Sequence, residues 1–72
     1  MPVLPTGFQL RAARSLIGLQ QKQFARLAGL HPGTLNRMER AGKGRVKGSI
    51  ANLEAALAAF EKAGVEITED GV

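Results

Sequence analysis

The side chains of this protein that could do chemistry are few, and their kinds limit what they can do. There are ten lysines and arginines, six carboxylates and one histidine, with no cysteine, tyrosine or tryptophan. Acid–base or nucleophilic catalysis needs a titratable or nucleophilic group held within reach of a partner. One histidine, His31, and scattered carboxylates supply no such constellation, so the chain is read as not an enzyme. Without cysteine a thiolate zinc site is impossible, and a lone histidine forms no cluster. No metal and no cofactor are therefore expected. The charges can, however, meet a polyanion. Residues 1–48 hold nine cations and one acid, Glu39, a balance of +8. Residues 49–72 hold one cation, Lys62, and five acids, a balance of −4, which together give the net +4. Such a split points to one region facing a polyanion. The alternative is charge kept for solubility alone.

Those cations need elements to hold them. Seventy-two residues fit one domain, which at this size buries only about 60% of the surface its unfolded chain exposes. Residues 1–5, with two prolines, read as a flexible leader. Thr6 and Gln9 have capping-box spacing and open a first helix. Leu10, Ala13, Leu16 and Ile17 repeat at helical spacing on its inward side, and Gly18 ends it. Arg11 and Arg14 lie off that stripe. A second helix spans residues 20–28, with Phe24, Ala25, Leu27 and Ala28 inward, and stops at Gly29. A third starts near Pro32, with His31 beside its N-cap, since proline suits a first helical position. Leu35 and Met38 are its inward side.

Residues 40–48 carry three glycines and four bases and read as a flexible basic loop. Ser49 caps a fourth helix that runs to Lys62, with Ile50, Leu53, Ala56, Leu57 and Phe60 at helical spacing. Gly64 ends it. Residues 65–68 alternate apolar and polar as a short β-strand would. Glu69, Asp70 and Gly71 have turn chemistry. The expected fold is thus all-α: a four-helix domain over residues 6–63, then a short C-terminal strand and acidic tail over residues 64–72. No apolar run is long enough to span a membrane. The N-terminus lacks the order of a secretory signal, so a cytoplasmic location is expected.

Two short helices joined by a glycine-containing turn make a helix-turn-helix. Ala25 must be small where the helices cross, and Gly29 can take the left-handed conformation of a sharp turn. Leu30, Leu35 and Met38 fasten the third helix. The run Q-Q-K-Q-F-A-R-L-A-G-L-H-P-G-T-L-N-R-M-E, from Gln20 to Glu39, resembles the helix-turn-helix of the lambda-repressor-like (Cro/C1, XRE) regulators of bacteria and phages. The matching positions are Gln21, Phe24, Ala25, Ala28, Gly29, Leu30, Thr34, Leu35, Met38 and Glu39. The likeness extends over roughly residues 6–60.

This resemblance implies a sequence-specific DNA-binding regulator, repressor or activator, with helix 32–40 in the major groove. It implies phosphate contacts for Gln21 and Thr34, and base-reading positions at Pro32, Gly33, Asn36 and Arg37. It also implies an ion pair between Arg14 and Glu39; the alternative for Arg14 is a solvated surface charge. Pro32 and Gly33 offer no side-chain hydrogen bond. Direct readout then falls to Asn36 and Arg37, with His31 as a third candidate. Arginine suits guanine O6/N7 and asparagine suits adenine N6/N7. The blander role for His31 is to cap the helix or face water.

Lys43, Arg45 and Lys47 would lie beside the third helix and bind phosphates, or else belong to a solvated loop. Lys22 and Arg26 face DNA or only solvent. The lone strand, through Val65 and Ile67, would pair with a second copy or with another protein. A homodimer suits two half-sites one helical turn apart. The alternative function is a protein-interaction module on the same fold, such as an antiactivator or antitoxin binding another regulator. Pro32, Gly33 and the acidic tail motivate it.

Overall fold

The structure, a computed structural model, describes residues 4–46 and 49–68. Four helices follow one another: α1 (Gly7–Leu16), α2 (Gln21–Ala28), α3 (Pro32–Glu39) and α4 (Ile50–Lys62). Their starts have local causes. The Thr6 hydroxyl accepts from the Gln9 N–H at 3.1 Å, and Gln9 Oε1 accepts from the Thr6 N–H at 2.8 Å. Both halves of the expected capping box are therefore made. At α2, Gln23 Oε1 accepts from the Gln20 N–H at 2.9 Å. Ser49 Oγ accepts from the Asn52 N–H at the start of α4. α2 stops at Gly29, whose φ of +72° is the left-handed value anticipated for the turn. This conformation lets the Leu30 N–H reach back to the Ala25 carbonyl at 2.8 Å.

Each of the four helices gives the core one of its largest fully buried side chains. Phe24 and Phe60 stack with centroids 4.2 Å apart and planes 15° off parallel, joining α2 to α4. Leu10 and Leu35 are as fully buried as the two rings, and Ala25 is also closed to solvent. Two residues assigned inward are instead exposed: Leu16 at 64% and Leu27 at 60%. At roughly 100° per residue, Leu16 lies about 90° round from the line of Leu10, Ala13 and Ile17. Ile17 takes the inward place. Leu27 lies about 110° from the midpoint of Phe24 and Ala25, whereas Ala28 falls almost on it. An eight-residue helix buries only that narrow side. Ile50, the first residue of α4, is also exposed.

The loop after α3 is less slack than its composition suggests. The first N–H groups of a helix lack intrahelical acceptors, and those of α1 take carbonyls from this loop. The Phe8 N–H donates to Gly42 at 3.0 Å and the Gly7 N–H to Gly44 at 3.3 Å. The Val46 N–H donates to the Pro5 carbonyl at 2.9 Å, Thr6 and Arg45 form an antiparallel bridge, and Val46 and Pro5 are buried. Residues 4–8 and 42–46 are thus tied together by hydrogen bonds. Gly7 permits this approach. A Cβ there would lie 2.5 Å from both the Glu39 carbonyl oxygen and the Gly42 nitrogen. Residues 1–3 of the expected leader, Lys47 of the basic loop, and Glu69 and Asp70 of the acidic tail lie outside the described residues.

The C-terminal strand is not found: among the described residues there is no β-strand. After α4 the Val65 N–H donates to the Phe60 carbonyl at 2.9 Å, and Val65 and Ile67 lie half-buried against the core. Gln9 Nε2 donates to the Thr68 carbonyl at 2.8 Å. The alternation is real, but a strand needs a ladder. Here the apolar side of residues 65–68 is covered by the chain's own helices, forming a strap. Among the described residues no helix is long and apolar enough to cross a membrane.

Candidate nucleic-acid interface

The site begins with a charge that should be costly. Glu39, on the last turn of α3, is 7% exposed. A carboxylate removed from water must be paired and hydrogen-bonded. Arg14 of α1 supplies two parallel bonds, Nε to Oε2 at 2.7 Å and Nη2 to Oε1 at 2.9 Å. This is the bidentate fork that makes arginine–carboxylate pairs strong and directional. Arg14 Nη1 donates to the Leu19 carbonyl at 3.0 Å. One guanidinium thereby joins α1, the α1–α2 connection and α3. The hydrogen bond to Glu39 holds the Arg14 pKa above its ordinary value; burial opposes this and the carboxylate's charge adds to it. A cation with a raised pKa keeps its stabilising contribution until the pH climbs through the raised value. The Arg14 side of the pair is therefore constant across the neutral range.

Gln21 opens α2 and completes the cluster. Its Nε2 donates to Glu39 Oε1 at 3.1 Å and to Asn36 Oδ1 at 3.3 Å. The resemblance implies a phosphate contact for this side chain. In the structure both of its N–H groups have acceptors within the protein. Asn36 is half-buried, and its neighbour Arg37 is exposed. Thr34 is half-buried in the first turn of α3.

His31 is the N-cap of α3: its Nδ1 accepts from the Gly33 N–H at 3.0 Å. The capping role weighed for it is the one observed. Its neutral form then carries its proton on Nε2. A Cβ on residue 33 would come 3.2 Å from His31 Nδ1. Pro32 and Gly33, which looked like lost readers, form the first turn that receives this cap.

Arg37, Arg40 and Arg45 line one concavity of about 700 Å³ with Leu4, Ala41, Gly44 and Val46. Arg45 Nη1 is held by the Leu4 carbonyl at 2.9 Å. Arg40 and Arg11 also border a second hollow around Phe8, Gln21, Asn36 and Glu39. Neither Arg40 nor Arg11 was singled out from sequence as a contact. Arg40 lies near Asn36 and Arg37 by helical spacing along α3, whereas the place of Arg11 near Asn36 depends on how α1 meets α3. Lys43 is exposed on the loop, and Lys22 and Arg26 are exposed on α2. Among the described residues the ion pair is Arg14–Glu39 alone. Among the described residues the other cations of this surface form no ion pair, and the acid within it is paired with Arg14. Among the described residues no group of three or more His, Cys, Asp and Glu side chains could hold a metal ion.

A helix-turn-helix family model matches residues 10–67, most of the chain. No curated protein and no solved structure matches it.

Proposed function

This chain belongs to the Cro/C1-type helix-turn-helix family, a family of DNA-binding regulators, and on that premise we propose that it is a sequence-specific transcriptional regulator setting α3 in the major groove of double-stranded DNA. The observation that carries this reading is that Arg37, Arg40 and Arg45 line one concavity while Arg40 and Asn36 border the next, with the nearby acid Glu39 already paired with Arg14. Arg37 and Asn36 read base edges, each bidentate contact discriminating by about 1–3 kcal/mol. Lys43, Arg45, Thr34 and, by its position, Arg40 meet phosphates, with Lys47 assigned the same role from its charge. His31, which caps α3 through Nδ1, offers the Nε2–H as a further donor. With Pro32 and Gly33 silent, sequence-dependent DNA shape supplies part of the selectivity.

Two copies reading two half-sites one turn apart complete this proposal. The side chains of Val65 and Ile67 already pack on their own core, so pairing there runs through the main chain. Selection from a pool of random-sequence duplexes, followed by mobility shift, tests the reading. Enrichment of a defined sequence is expected, with a log–log salt slope of about −4 to −5 for roughly four to six phosphate contacts. Enrichment of no sequence overturns it.

One observation favours the second reading, a module that binds another regulatory protein. Exposed Leu27 stands beside Ala28, Ala55, Ala58 and Ala63 along an apolar groove between α2 and α4. Capture of a partner that survives nuclease treatment and is lost with Leu27→Glu is the outcome this reading expects.

A further inference from the structure

One charge dictates the orientation of two amides at the meeting of α1, α2 and α3. The Glu39 carboxylate accepts hydrogen bonds and cannot donate them. Gln21 approaches Oε1 at 3.1 Å and must therefore turn its nitrogen, not its oxygen, toward Glu39. That nitrogen has a second hydrogen, and its other contact is Asn36 at 3.3 Å. Asn36 must then turn its oxygen toward Gln21. The Asn36 Nδ2 occupies the opposite branch of the amide, away from Gln21, with two hydrogens to donate. Asn36 immediately precedes the exposed Arg37 on α3.

We infer that Gln21 is a positioning residue of the reading surface: the Arg14–Glu39 pair, acting through Gln21, fixes the Asn36 amide so that it meets a base edge with its donors. This rests on the DNA-reading function proposed above and names the edge that is read. Guanine presents two acceptors, N7 and O6, and takes two donors. Adenine requires the same side chain to donate to N7 and to accept from N6. In this geometry Gln21 takes one of the two lone pairs of the Asn36 oxygen and keeps that oxygen turned toward α2, leaving the Nδ2 side to meet the base. Asn36 therefore favours guanine over the adenine that asparagine selects when its amide is free to turn. Gln21 itself spends both donors inside the protein and has none for a phosphate.

The two roles separate experimentally because they change different quantities. Losing a base reader relaxes preference at one position, whereas losing a phosphate ligand weakens binding to all sequences and makes the salt slope shallower by about 1. Random-duplex selection with Asn36→Ala identifies the base pair Asn36 reads. At that pair, wild type is expected to prefer guanine, and Gln21→Met to lose about tenfold of the preference or move it to adenine, with the salt slope kept. Adding Gln21→Met to Asn36→Ala is expected to change the preference no further. An unchanged preference with a shallower slope, or a wild-type preference for adenine, overturns the inference while leaving the proposed function standing. Enrichment of no sequence by wild type overturns both. If Gln21→Met does not fold, wild type decides alone. Both Gln21 Nε2 hydrogens are expected to exchange with water more slowly than those of the exposed Gln20, and equal rates overturn the inference.

Discussion

Two of the junctions between helices in this small protein are built from opposite chemistry. Where α2 meets α4, Phe24 lies on Phe60 and the contact is dry. Where α1 meets α3, the contact is a buried carboxylate gripped by a guanidinium and an amide. An apolar contact is non-directional and scales with area. A network of hydrogen bonds has a preferred geometry for every member. The first junction stabilises the fold. The second also orients what lies at its edge, and its edge is Asn36. A buried ion pair is weak evidence for stability, because apolar residues of similar volume often replace it without loss. Its value here lies in direction.

The comparison can be broken at either junction. Phe60→Ala should cost about 3–5 kcal/mol in urea unfolding, through lost transfer energy and the cavity left opposite Phe24. Arg14→Ala should cost a similar amount, about 3–5 kcal/mol, because Glu39 would stay buried without its partner. The double replacement Arg14→Met with Glu39→Met sharpens the contrast. It should recover most of that stability while still losing base preference, since no carboxylate would remain to turn Gln21. Recovery of both stability and preference would show that the polar junction orients nothing.

Smaller effects probe the surface served by the second junction. Arg37→Ala should lower discrimination against a mutated site by about 1–3 kcal/mol in mobility-shift titrations, with little change in thermal unfolding. His31→Ala removes the α3 cap and should cost about 1 kcal/mol of stability. Leu27→Glu, at an exposed position beside the dry junction, should shift stability by no more than about 0.5 kcal/mol. A large loss there would mean that this side of α2 is covered by a partner.

Much of this was legible before any coordinates. Cap residues, glycine stops and helical periodicity are local signals, so the helix starts and ends near their predicted places. The Arg14–Glu39 pair is implied by the family resemblance, and Glu39 as the lone acid in residues 1–48 favours it, but charge alone does not say which of the nine cations takes it. Periodicity failed where a side chain sat near the rim of its stripe: Leu16 and Leu27 are apolar but turn outward. Alternation failed at residues 65–68 because it reports which side is apolar and cannot say what covers that side.

The sequence by itself determined the helices, the turn at Gly29 and the basic half of the chain, since each follows from residue type and short-range spacing. Only the tertiary structure decided that the loop is tied to α1, that Gly7 admits the end of α3, and that Gln21 faces Glu39 and Asn36 instead of standing free. The reason is physical. A hydrogen bond between residues far apart in sequence exists only after packing has brought them within about 3 Å. No local pattern records which of several nearby donors will reach a buried acceptor.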